Sequence, residues 1–214
     1  MDIVSEQVRI GPQGLPGSFD LVAPAGGLVV FAHGSGSSRL SPRDRHVAEV
    51  LRQHGLSTLL FDLLTPDEAT DRHKVFDIEL LASRVGQAIG WARAHPAVGG
   101  ASLGLFGAST GAAAVLCAAA AWPTRVMAVV SRGGRPDLAT ADLQAVQAPT
   151  LLVVGSRDPQ VLDLNRSAMR LLRCEKRLEL VPGATHLFEE PGALDTVAHL
   201  AGAWFANHTS TAWR

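Results

Sequence analysis

The sequence predicts an α/β fold in which a doubly wound, mostly parallel sheet carries helices on both faces. Two observations support this prediction. Short apolar runs alternate with longer amphipathic stretches, and most of the runs are apolar on both faces, as buried parallel strands are. The chain has 214 residues, of which 47% are hydrophobic, so it can bury a sizeable core, and we expect one domain over residues 1–214.

Eight apolar segments are candidate strands. Two weaker segments near 4–10 and 18–22 open the chain, and stronger ones follow at 28–32, 57–61, 103–106, 126–130, 150–154 and 177–181. Helices are predicted between them at about 42–54, 75–95, 110–121, 138–145, 160–172 and 193–208. Right-handed crossovers between parallel strands would place these helices on both faces of the sheet.

Composition and charge exclude several classes of partner and site. The formal net charge of -1 gives no electrostatic footprint for nucleic acid or for an anionic membrane. No apolar run reaches the length of a membrane span, and the N-terminus does not have the pattern of a secretory signal, so a cytoplasmic protein is expected. The two cysteines, Cys117 and Cys174, are expected to be unpaired, and no Cys/His spacing predicts a metal site. A small-molecule substrate is the expected partner, and a homodimer stays open.

Polar residues follow the predicted strands where a ligand crevice should lie. In open parallel sheets that crevice is outside the carboxyl ends of the strands. The segments at those ends are His33-Gly34-Ser35-Gly36-Ser37-Ser38, Asp62, Gly107-Ala108-Ser109-Thr110-Gly111, Ser131-Arg132-Gly133-Gly134-Arg135, Gly155-Ser156-Arg157-Asp158 and Gly183-Ala184-Thr185-His186. The chemistry is therefore sought among these residues.

The pattern Gly-x-Ser-x-Gly occurs twice, around Ser102 and around Ser109. A nucleophile elbow must follow a strand and open a helix, because the strained turn lifts the serine above the sheet. Ser102 precedes the 103–106 strand and fails this test, whereas Ser109 passes it. Gly107 and Gly111 would allow the sharp turn and a close helix start. The alternative for Ser109 is an ordinary helix N-cap.

A serine nucleophile needs a base and a group that orients the base. His186 and Asp158 each follow a predicted strand on the crevice side, so they are the candidates. Asp137 and Asp163 are rivals for the acid, and Asp158 is preferred because it lies immediately past its strand. The other histidines lie in helical or loop stretches away from strand ends and are expected to be solvated: His46, His54, His73, His95, His199 and His208.

Backbone amides are the expected donors to the negative charge of an acyl-transfer intermediate. Thr110, directly after the serine, supplies one amide by position. The loop His33-Gly34-Ser35-Gly36 resembles the glycine-rich oxyanion loop of esterases, which makes the Ser35 amide the second candidate. Its alternative is a flexible turn rich in glycine and serine.

These motifs together resemble the dienelactone-hydrolase branch of the α/β-hydrolases, whose triads follow the chain order Ser109, Asp158, His186. The resemblance implies a domain without a sizeable cap, acting on esters or lactones without a cofactor. Typical dienelactone hydrolases carry cysteine at the elbow, so Ser109 favours a broader carboxylesterase. About eight residues separate the 126–130 strand from the next predicted helix, which predicts a shallow, open pocket for short acyl chains. Thioesterase, peptidase and perhydrolase activities, or a catalytically idle ligand receptor, stay open as alternatives.

Three arginines near the crevice suggest recognition of a substrate carboxylate or phosphate. Arg39, Arg132 and Arg135 could form bidentate contacts with such a group, and Gly34 is a further candidate for substrate contact. The alternative is structural pairing of the arginines with nearby carboxylates such as Asp62 or Asp137.

Overall fold

A computed structural model describes residues 2–24 and 26–209 as a sheet flanked by helices. The strands are β1 (Asp2–Ile10), β2 (Leu15–Ala23), β3 (Leu28–Ala32), β4 (Ser57–Phe61), β5 (Leu103–Ala108), β6 (Val126–Arg132), β7 (Thr150–Gly155) and β8 (Lys176–Val181). They form one sheet in the order β1-β2-β4-β3-β5-β6-β7-β8. β2 is antiparallel to both of its neighbours, and every other pair is parallel. The predicted fold class is confirmed.

The helices are α1 (Pro42–Gln53), α2 (Pro66–Thr70), α3 (Arg72–Val75), α4 (Ile78–Ala94), α5 (Thr110–Ala121), α6 (Pro159–Leu171) and α7 (Ala193–Thr209). Side-chain caps explain where several of them begin. Ser41 accepts a hydrogen bond from the Asp44 amide at the start of α1, and Asp77 caps α4 in the same way. Because of that cap, the helix predicted from 75 begins at Ile78.

The core consists of one apolar cluster on each face of the sheet. Alternate residues of the central strands point to opposite faces, so that Val30 packs with α4 and α5 whereas Phe31 packs with α1 and α7. β5, which leads to Ser109, is buried along its whole length. The site at its carboxyl end therefore rests on a rigid base.

The helix predicted at 138–145 is replaced by two short 3₁₀ turns, Pro136–Ala139 and Leu143–Ala145. In an α-helix the Asp137 carbonyl would accept a hydrogen bond from the amide four residues later. Here it accepts one from the Thr140 hydroxyl at 2.6 Å, and this side-chain bond competes with the helical one. The connection from β6 to β7, residues 133–149, carries these two turns and no large insertion, in agreement with the prediction of no sizeable cap.

Candidate active site

Ser109 occupies a strained turn between β5 and α5. Its φ of 50° and ψ of -118° lie in a backbone region that residues other than glycine rarely adopt. Two backbone hydrogen bonds hold it there: the Ser109 amide donates to the Arg132 carbonyl at 3.2 Å, and the Arg135 amide donates to the Ser109 carbonyl at 3.0 Å. The side chain forms no capping hydrogen bond to α5, so the N-cap alternative does not describe this serine.

The glycines around Ser109 allow α5 to begin against the sheet. A Cβ at Gly107 would lie 2.5 Å from the Ala112 Cα, and one at Gly111 would lie 2.1 Å from the Ala32 carbonyl oxygen. A Cβ at Gly34 would lie 3.1 Å from the Ser109 Cβ. The loop after β3 therefore passes directly beside the serine. These close approaches agree with the reason given for Gly107 and Gly111 from the sequence.

His186 and Asp158 form a hydrogen-bonded pair at the same edge of the sheet. His186 Nδ1 lies 2.7 Å from Asp158 Oδ2, while Asp158 Oδ1 accepts from the Val161 amide at 3.4 Å and so caps α6. The imidazole ring lies beside the end of β6, since a Cβ added at Gly133 would be 3.5 Å from His186 Cε1. The Asp158 side chain is 14% exposed and that of His186 is 38% exposed, so the carboxylate is the more enclosed member of the pair.

A carboxylate that the sequence reasoning missed holds the histidine loop in place. Glu190 Oε1 accepts from the Thr185 amide at 3.1 Å and from the Thr185 hydroxyl at 2.7 Å, one residue before His186. The hydrogen bond from the Thr185 hydroxyl is the main cause that lowers the pKa of Glu190. No sequence motif marks this residue, because the contact depends on how the loop folds back.

The rival acids are engaged elsewhere. Asp137 binds the Arg135 guanidinium through both oxygens, at 2.9 and 2.7 Å, and Asp163 lies 3.3 Å from Arg166 on the exposed side of α6. Ser102 lies at the opposite end of β5 from Ser109, as its place before the strand predicted. Among the candidates from the sequence, the structure brings Asp158 to His186.

Hydrogen bonds fix the glycine-rich loop after β3. The Leu63 amide donates to His33 Nε2 at 3.2 Å, so in the neutral ring the hydrogen is on Nδ1, which donates to the Gly34 carbonyl at 3.0 Å. The Ser35 amide donates to Thr110 Oγ1 at 2.9 Å. The Thr110 amide is the first of α5 and has no acceptor within the helix. The loop is thus ordered, unlike the flexible turn of the alternative interpretation.

The three arginines pair with carboxylates, as the structural alternative states. Arg39 lies 2.8 Å from Asp62, and Arg135 binds Asp137. Arg132 lies 3.4 Å from Asp44, with only 9% of its side chain exposed. Burial lowers the pKa of Arg132, and the neighbouring Asp44 partly offsets that effect. The substrate-contact hypothesis is therefore not supported for Arg132, because its guanidinium is enclosed rather than offered to the crevice.

A cavity of about 390 Å³ opens beside the loop and Thr110. This volume is in the range of small-molecule sites. The outer wall comes from the segment between β4 and α4, which contains α2 and α3. No motif in the sequence predicted this wall. Its apolar lining includes Leu63, Leu64, Pro66, Ala69, Val75 and Leu81.

Within residues 2–24 and 26–209, no group of three or more His, Cys, Asp or Glu side chains is arranged to hold a metal ion. None of the described helices is both long and apolar enough to span a membrane.

Several known proteins are similar to this chain in sequence or in structure. Residues 25–203 match a family model described as an alpha/beta hydrolase domain. The structure resembles the crystal structure of a dienelactone hydrolase from Anabaena variabilis, with 51% sequence identity, a TM-score of 0.93 and coverage of 97% of this chain and 98% of that one. The esterase domain of a Rhodothermus marinus protein shares the fold, with 19% identity, a TM-score of 0.76 and coverage of 98% and 100%.

Curated relatives come from Mycobacterium tuberculosis and are provisionally named phosphoribosyl transferases. One is 56% identical over 202 residues, which represent 94% of this chain and 46% of the relative. The chain therefore spans about half the length of the curated relatives it matches.

Proposed function

The chain belongs to the alpha/beta hydrolase domain family, and on that basis we propose that it is a serine hydrolase that cleaves carboxylic esters or lactones. Ser109 is the nucleophile, His186 the general base and Asp158 the group that orients the histidine. One observation carries the proposal: Ser109 is held in a strained turn at the same sheet edge as a histidine that is hydrogen-bonded to a carboxylate at 2.7 Å.

The proposed reaction proceeds in two halves. Ser109 Oγ attacks the ester carbonyl carbon while His186 Nε2 takes the hydroxyl proton, and the resulting imidazolium is stabilised by Asp158. Collapse of the tetrahedral intermediate breaks the bond to the alcohol, which leaves with the proton from His186. Water then attacks the acyl-enzyme by the same route, releasing the acid and restoring Ser109. The amide of Thr110 and the loop that carries Ser35 face the developing oxyanion.

The cavity supports a neutral, largely apolar substrate group of modest size. Its volume of about 390 Å³ lies at the lower end of the range of small-molecule sites, which suits a short acyl chain. The described lining includes no lysine or arginine, and Asp62 within it is paired with Arg39. An acidic substrate group would find no counter-charge there, so neutral esters are favoured.

Phosphoribosyl transfer is the second candidate, suggested by the name of the curated relatives. Recognition of a phosphorylated ribose calls for cations or a nest of amides facing the phosphates. The described cavity lining includes no lysine or arginine, and the Ser35 amide of its glycine-rich loop already donates to Thr110 Oγ1. Because this chain matches only 46% of those relatives, their name does not outweigh the hydrolase site.

A fluorophosphonate probe tests the proposal, because it labels an activated serine covalently. We expect labelling of the wild-type chain, loss of labelling in Ser109→Ala, and retained labelling in the matched control Ser102→Ala, which alters the other Gly-x-Ser-x-Gly serine. Folded wild-type protein that is not labelled would instead favour a ligand-binding role. p-Nitrophenyl esters of increasing chain length, with lactones and acidic esters beside them, then define the substrate. Higher activity on acidic than on neutral esters would contradict the assignment of a neutral substrate.

A further inference from the structure

The amide of Ser35, expected from the sequence to face the oxyanion directly, already has an acceptor. It donates to Thr110 Oγ1 at 2.9 Å, which falls within the 2.7 to 3.1 Å that separates a donor from an oxyanion. The threonine hydroxyl thus occupies the place that an oxyanion bound by Ser35 would take. Thr110 is 3% exposed and β-branched, so its side chain has little freedom to move away.

The hydrogen bonds that lead to Thr110 all run in one direction. The Leu63 amide donates to His33, the His33 ring donates to the Gly34 carbonyl, and the amide of the same Gly34–Ser35 peptide donates to Thr110 Oγ1. Each bond in such a chain polarises the next one. The Thr110 hydroxyl oxygen accepts the last hydrogen bond of this series, and the hydroxyl hydrogen remains available to a further acceptor. Since Thr110 lines the cavity, that acceptor can be a substrate.

We propose that the Thr110 hydroxyl is a catalytic group that donates its hydrogen directly to the oxyanion, beside the amide of the same residue. Ser35 then acts through Thr110 as a positioning residue instead of touching the substrate. This inference rests on the proposed serine-hydrolase function. The competing arrangement is that the hydroxyl only ties down the loop and withdraws when substrate binds, which would leave the Ser35 amide to meet the oxyanion.

Replacing Thr110 separates the two arrangements. Valine keeps the shape of threonine but has no hydroxyl, and Thr110→Val should lower kcat for p-nitrophenyl acetate about 100-fold with KM changed by less than about threefold, as for loss of one oxyanion donor. Thr110→Ser keeps the hydroxyl and should retain at least about a tenth of kcat. Thr140→Val is the matched control, because Thr140 is exposed and binds only a local carbonyl. A Thr110→Val enzyme within about threefold of the wild-type kcat would overturn the proposal, since the freed Ser35 amide would then serve the substrate itself.

A second measurement keeps this test independent of the ester substrate. Phosphonylation of Ser109 by a fluorophosphonate also builds negative charge on an oxygen, so Thr110→Val should slow the labelling rate by a similar factor. An unchanged labelling rate refutes the role of the hydroxyl while leaving the serine hydrolase intact, whereas wild-type protein that neither labels nor cleaves any ester refutes the proposed function. Thermal unfolding of each variant checks the fold, and Thr110→Ala replaces the valine variant if valine does not fit.

Discussion

Replacing Asp158 with asparagine tests the proposed triad at its orienting group. Asp158 receives two hydrogen bonds, one from His186 at 2.7 Å and one from the Val161 amide at 3.4 Å. Asparagine has one oxygen for these two donors, and its NH₂ group must face the other. Where that group faces His186, it donates to Nδ1 and forces the ring hydrogen onto Nε2, which can then no longer accept the proton of Ser109. The inactive tautomer is thereby favoured without a change of shape.

The expected loss is large in rate and small in stability. An amide in place of the orienting carboxylate of a triad lowers kcat by about 10⁴-fold, equivalent to about 5 kcal/mol of transition-state stabilisation. The long bond to Val161 indicates a weak cap, so the free energy of unfolding should fall by less than about 1 kcal/mol. The assay is kcat on p-nitrophenyl acetate together with a thermal melt.

Matched aspartate variants complete this experiment. Asp163→Asn, on the exposed side of α6, should leave kcat within about twofold of the wild-type value. Asp137→Asn tests the rival acid and removes its ion pair with Arg135. The reasoning fails if Asp158→Asn retains more than about a tenth of kcat, or if Asp137→Asn loses as much as Asp158→Asn.

Two further predictions concern stability and thiol reactivity. Gly111→Ala places a Cβ 2.1 Å from the Ala32 carbonyl oxygen, so we expect a cost of about 3 kcal/mol and a melting temperature lower by roughly 6–12 °C. Gly90→Ala, in α4 with open space around the added Cβ, should instead stabilise slightly, and equal melts for the two variants would contradict the packing argument. Burial and a hydrogen bond with Asp142 raise the pKa of Cys117 to about 12, so at pH 8 its thiolate fraction is roughly a thousandfold below that of an ordinary thiol. Iodoacetamide should accordingly modify Cys117 far more slowly in the native chain than in denaturant, as followed by mass spectrometry; similar rates would refute the predicted shift.

The sheet and the elbow could be predicted because local sequence determines them. The runs at 28–32 and 57–61 coincide with β3 and β4, since strands apolar on both faces are marked by composition alone. Ser109 could be separated from Ser102 because a nucleophile elbow requires a strand before it and a helix after it, and both are visible in the sequence. The glycines beside Ser109 supported the same choice.

The ion pairs and the cavity wall could not be predicted as well, because they depend on residues distant in sequence. Arg132 meets Asp44 across a separation of 88 positions, and no local pattern indicates that contact. Helices α2 and α3 were missed although Thr65-Pro66-Asp67-Glu68 forms a capping box, which the sequence does display. The segment is short and has no apolar periodicity, so the pattern that revealed the other helices is absent there.

Helices α2 and α3 give this chain a way to change the lining of its cavity without disturbing its fold. Helices α2 and α3 bury none of their residues, so the core does not depend on their sequence. An ion pair ties α2 to the core: Glu68 lies 2.9 Å from Arg84, whose side chain is only 4% exposed. A replacement loop that keeps a carboxylate at this position leaves no buried charge unpaired. Selection or design can therefore exchange α2 and α3, provided that Glu68 is kept for Arg84 and that Leu63, which is buried in the core before α2, is left unchanged.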